Sequence, residues 1–82
     1  MKTDTREKPV KLQLNNTGAW KDVVHFDAAN DIASETVLDA ANTLGGLDAG
    51  RVTFRIVTED ALPEVLMSWS KANGWKKAAP HP

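Results

Sequence analysis

The side chains with most chemical potential are few in this sequence, and they are scattered. Its two histidines, His25 and His81, lie too far apart to make a spaced ligand pair, and Asp27, Asp31 and Asp48 miss the one-three-five spacing of a calcium loop. No cysteine is present, which excludes a thiolate nucleophile, a disulfide framework and a Cys-built zinc or iron–sulfur site. Ser34 is a hydroxyl near an expected helix start, with Asp31 and Glu35 close by but no histidine tied to it. A first-turn or capping role accounts for it without nucleophilic chemistry. Glu59 and Asp60 are adjacent acids of the type an acid–base pair uses, yet they sit where an expected helix start favours negative charge, and capping explains them without catalysis. Gly45-Gly46 and Gly50 follow a helical segment instead of leading from a strand into one, so they match no phosphate cradle. The expectation is a chain with no catalytic residues, no metal and no cofactor.

Binding has better candidates. Trp20, Val23, Val57 and Met67 are apolar positions that the helical stripes described below do not consume, and they are expected to offer a protein interface, to a partner or to a second copy. Lys71, Trp75, Lys76 and Lys77 interleave an aromatic with bases, the composition of a nucleic-acid contact. Lys11, Trp20 and Lys21 join them if the first hairpin lies alongside. The net charge of −1 conceals three blocks: +3 over residues 1–21, −7 over 22–64 and +3 over 65–82. A pI near 6.0 and the acidic middle weigh against nucleic acid.

The 82 residues hold 41% hydrophobic and 26% charged side chains, ordinary values for one small globular domain. Such a chain hides about 60–65% of its unfolded surface, enough for a single two-layer core. Residues 1–9 and 78–82 lack apolar periodicity and are expected to be a flexible arm and tail around a domain over 10–77. No signal peptide or membrane span can be drawn, which points to the cytoplasm.

Within the domain, Val10, Leu12 and Leu14 alternate with polar residues, and Asn15-Asn16-Thr17-Gly18 supplies turn chemistry before a second strand from Trp20 to Phe26. Asn30 or Asp31 caps a helix whose stripe is Ala33, Val37, Ala40, Ala41 and Leu44, and Gly45-Gly46 ends it. Val52, Phe54 and Ile56 mark the strongest strand. Asp60 is expected to cap a second helix, with Leu62, Val65, Leu66, Trp69 and Ala72 on its buried face. Asn73-Gly74 closes that helix, and a short strand from Trp75 is left at the end. The order β-β-α-β-α(-β) predicts an α/β two-layer sandwich: a small mixed sheet of three to four strands, two helices on one face, and strands two and three parallel.

The stretch from Asp31 to Trp75 resembles the small TusA/SirA-like sulfur-carrier proteins. Val37-Leu38-Asp39-Ala40-Ala41, Leu44, Leu47 and Gly50 are similar to the family's first helix and turn, Val52 to Asp60 to its strand, and Leu66, Trp69 and Asn73-Gly74-Trp75 to its second helix and stop. The family's Cys-Pro pair is missing, with Ala33-Ser34 in its place. A serine hydroxyl holds no transferable sulfane sulfur, so the resemblance implies at most a cysteine-less relative that docks onto a carrier's partner. The leading expectation is a non-catalytic interaction or accessory domain, and nucleic-acid association is the alternative.

Overall fold

In the computed structural model, which describes residues 8–78, the first hairpin forms as its alternation predicts. Strand β1 runs Pro9–Asn15 and pairs antiparallel with β2, Trp20–Asp27. The Asn15 side chain accepts the Gly18 amide at 2.9 Å, and Gly18 takes the positive φ of +99° that closes the loop. Asn30 then caps helix α1, Asp31–Leu47, its side-chain oxygen accepting the Ala33 amide at 3.0 Å. Strands β3 (Thr53–Thr58), β4 (Val65–Ser70) and β5 (Gly74–Lys77) complete the chain. Of the arm expected over residues 1–9 and the tail expected over 78–82, residues 1–7 and 79–82, with His81, lie outside the described residues; Pro9 belongs to β1.

The architecture differs from the expected sandwich. One helix covers one face of a five-stranded sheet in the order β2-β1-β3-β4-β5, and every neighbouring pair is antiparallel. Strands β2 and β3 do run in the same direction, but β1 lies between them, so the sheet is not mixed.

The expected second helix is instead a loop and the β4–β5 hairpin. Its apolar spacing fits a helix, but Met67-Ser68-Trp69-Ser70 also alternates, and a strand is what forms. Asn73-Gly74 serves the hairpin, not a helix stop. The Asn73 amide donates to the Ser70 carbonyl at 3.3 Å and Gly74 follows at φ +69°, which lets Trp75 pair with Trp69 across the ladder. Leu62, expected on a buried helical face, is 87% exposed in the β3–β4 loop.

Gly45-Gly46 likewise does not end α1, which continues to Leu47 and is capped by the Asp48 amide donating to the Leu44 carbonyl at 3.1 Å. Gly45 is needed for a different reason. A Cβ there would stand 2.2–2.9 Å from the six-membered ring of Trp69, so only glycine lets the helix lie this close to β4. The core gathers around that contact: Val10, Leu12, Phe54 and Ile56 from the sheet, Val52 before β3 and Ala41 from the helix. Phe54 meets Trp69 edge to face with ring centroids 5.6 Å apart. The Trp69 indole N–H donates to Asn42 at 3.0 Å and that of Trp75 to the Leu38 carbonyl at 2.9 Å, so neither ring buries an unpaired donor.

The two adjacent glycines give opposite predictions. Gly46 has open space around its missing Cβ, so Gly46→Ala is expected to stabilise the fold by about 0.5–1 kcal/mol through helix propensity. Gly45→Ala gains the same propensity but overpacks Trp69, for a net loss of roughly 2–3 kcal/mol. Urea denaturation of both variants checks the sign of each.

Candidate functional site

The alternation that turns Val10, Leu12, Phe54, Ile56 and Trp69 toward α1 turns Lys11, Gln13, Arg55 and Ser68 to the opposite face of the sheet. Among the described residues no helix covers that face. It carries a connected polar network across β2, β1 and β3. The Gln13 amide nitrogen donates to one Asp22 oxygen at 2.8 Å, and Lys11 Nζ reaches the other at 3.2 Å. Arg55 Nε donates to the Gln13 carbonyl oxygen at 2.7 Å, and the Arg55 guanidinium lies 4.1 Å from the centre of the Trp20 ring. Gln13 is buried, and both ends of its amide are used.

Trp20 reaches this face because β2 carries a bulge. Leu12 pairs with Val24 and Gln13 with Asp22, so Val23 is the extra residue. An unbroken strand would send Trp20 to the side of Val24 and Phe26. The bulge reverses the alternation and aligns Trp20, Asp22 and His25 opposite Asn15, Gln13 and Lys11. Trp20 borders a cleft of about 290 Å³ that is also lined by Thr53, Ser68, Ser70, Asn73 and Lys76. At the other end of the strands, His25 Nδ1 lies 2.9 Å from a Glu59 oxygen, beside a depression of about 280 Å³.

The four residues expected to share a protein interface do not share a surface. Trp20 is half-buried on the open face and Val23 exposed at the edge bulge. Val57 is 2% exposed, which assigns it to packing between Lys11 and Val65. Met67 packs toward α1 and borders an apolar cavity of about 180 Å³ with Phe26, Leu38 and Ser34. The basic group is divided as well. Trp75 points to the helix and Lys76 to the open face, Lys77 turns back, and Lys71 Nζ donates to the Asp48 carbonyl at 2.6 Å.

Ser34, of the Ala33-Ser34 pair that the resemblance set in place of the family's Cys-Pro, donates its hydroxyl to the Ala28 carbonyl at 3.3 Å. Among the described residues no group of three His, Asp or Glu could hold a metal ion, and no helix is long and apolar enough to cross a membrane. Sequence reasoning missed Gln13, Asp22 and Arg55. Their signal was their alternation with apolar residues, but joining them required knowing that β1 lies between β2 and β3.

No protein-family model, curated protein or solved structure matches the chain. A functional reading therefore rests on the geometry of this face.

The network makes Asp22 a reporter of its own integrity. Hydrogen bonds from Gln13 first and Lys11 second hold its carboxyl below the ordinary carboxylate value. A lowered folded-state pKa stabilises the fold above the unfolded value, and that contribution is lost as pH falls through the folded one. Carboxyl NMR titration is expected to place the Asp22 midpoint below that of the urea-unfolded chain. Gln13→Ala should raise it more than Lys11→Ala does; an unmoved midpoint in both variants means the network is not formed in solution.

Proposed function

We propose that this chain is a non-catalytic cytoplasmic interaction domain that binds a protein partner through the open sheet face around Trp20. The observation that carries the reading is the Trp20–Arg55 stack, held by Gln13 and Asp22 on a face that the helix leaves bare. Trp and Arg are the side chains most enriched among residues that dominate binding energy, and a ring already fixed in place loses little entropy on docking. The neighbouring cleft supplies hydroxyl, amide and ammonium groups to orient a partner.

A second reading, nucleic-acid association, draws on the placement of Trp20 and Lys76 around the same cleft, with Arg55 stacked on that Trp20 ring. An aromatic platform flanked by cations would stack a base and meet its phosphate. It replaces the Lys71, Trp75, Lys76 and Lys77 group, which the sheet divides between its two faces.

Both readings make Trp20 decisive, and salt separates them. The immobilised chain is expected to capture its partner at high salt and after nuclease treatment. Trp20→Ala and Arg55→Ala should each weaken capture at least about tenfold while leaving the circular dichroism spectrum unchanged. Capture that falls steeply with salt and vanishes with nuclease selects the nucleic-acid reading. Capture indifferent to both substitutions removes this face from the function.

A further inference from the structure

Asp22, Gln13, Arg55, Ser68 and Lys76 stand in one row across all five strands of the open face. The two halves of the row differ. Asp22 is answered by Gln13 and Lys11, whereas among the described residues no ion pair engages Arg55 or Lys76. Adjacent strands lie about 4.8 Å apart, so the backbone positions of Arg55 and Lys76 are about 10 Å apart with Ser68 midway. Lys76 and Ser68 line the cleft beside Trp20, and among the described residues no acid lines it. The polar groups there are arranged to donate. Ser70 Oγ accepts the Asn73 amide at 3.3 Å and Asn73 Nδ2 at 3.4 Å, which leaves its own hydroxyl hydrogen to donate elsewhere. The indole N–H groups of Trp69 and Trp75 are held by Asn42 and Leu38, but among the described residues nothing accepts that of Trp20.

We infer that this cleft takes a carboxylate side chain of the protein partner, an Asp or Glu with an apolar neighbour. Lys76 and the Ser68 and Ser70 hydroxyls hold the carboxylate, and the apolar neighbour lies against the Trp20 ring. An ionised carboxylate only accepts hydrogen bonds, which matches a lining that offers donors. Bonds to such a charged group are shorter and stronger than those between neutral ones. Arg55, stacked on the same ring at 4.1 Å, adds a second positive charge that no acid neutralises among the described residues. The site suits one anion, not a chain of them. Beyond Arg55 the row runs through Gln13 to Asp22, so a phosphate backbone laid along it meets that acid. The inference rests on the reading of the Trp20 face as a protein-binding surface, and it names the group that this face recognises.

A random-peptide library displayed on phage supplies the probe. Selection on the immobilised full chain is expected to enrich peptides with an Asp or Glu beside an apolar residue. A synthetic copy of an enriched peptide should shift the Trp20 indole N–H in proton–nitrogen NMR spectra. Replacing its acid by the matching amide should weaken binding at least about fivefold. Lys76→Gln, at an exposed position, should cost a similar factor, leave the circular dichroism spectrum unchanged and remove the preference for the acid. Lys77→Gln, across from Met67 on the helix side, should change neither affinity nor preference. Enriched peptides without an acid, or an acid preference that survives Lys76→Gln, overturn the inference while the Trp20 face keeps its binding role. A library that yields no binder overturns it as well, and oligothymidylate that then shifts the Trp20 indole selects the nucleic-acid reading. Acidic peptides that bind Trp20→Ala as tightly as the unaltered chain overturn the inference and the reading beneath it together.

Discussion

The position of the helix on the sheet depends on one close approach, that of the Gly45 backbone to the Trp69 ring. A side chain on residue 45 would push α1 away from β4 and open the core where Phe54 meets Trp69 edge to face. The same approach places Asn42 and Leu38 to accept the two indole N–H groups, one from β4 and one from β5. A buried donor left unpaired costs about 1–3 kcal/mol, so the two hydrogen bonds fix the helix along its axis as firmly as the ring fixes its height. Rotation is fixed as well. With Gly45 and Ala41 inward, the flank bearing Leu44 turns outward.

The other face of the sheet is organised by a polar side chain. Gln13 lies on the strand between β2 and β3 and uses its amide to join Asp22 on one side to Arg55 on the other. Each partner has a further contact, Asp22 with Lys11 and Arg55 with Trp20, so the aromatic ring is oriented through a chain of bonds that crosses three strands. The bulge at Val23 makes this alignment available by bringing Trp20 and Asp22 to the side of Gln13 and Arg55, away from that of Val24. The setting of the Trp20 ring and the strand irregularity are thus one feature. An ideal β2 would place the tryptophan against the helix.

The elements as far as β3 were legible in the sequence, but their arrangement was not. Alternation located β1 and β3, and Asn30 and the turn residues bounded the first hairpin and the start of α1, whereas β2 and β3, expected side by side, are separated by β1. The failures share a cause: local signals with two meanings. Asn73-Gly74 stops a helix or turns a hairpin, and the choice is made by the pairing of Trp69 with Trp75, which no local window contains. Gly45 suits a helix end or a helix–ring contact, and only the partner ring decides. The helical stripe was read correctly as apolar but wrongly as wholly inward. Of the candidate site, Trp20, Lys11 and Lys76 were visible but not their grouping, because the residues that hold Trp20 come from β1, β2 and β3, and a bulge has no dependable sequence signature.

The strand order has a consequence for how the chain assembles. The β1–β2 and β4–β5 hairpins join residues close in sequence, and each can close its own short loop. The β1–β3 ladder joins Val10 to Thr58 and Asn15 to Thr53, with β2 and the whole helix in between. Loop-closure entropy is therefore concentrated in that single ladder, where non-local contacts must form before they are rewarded. Until it zips, β1 and β3, which carry most of the buried side chains of the sheet, are both unprotected edges. The Gln13–Arg55 bond spans this junction, so the residues that orient Trp20 also latch the ladder that closes the longest loop among the strand pairs.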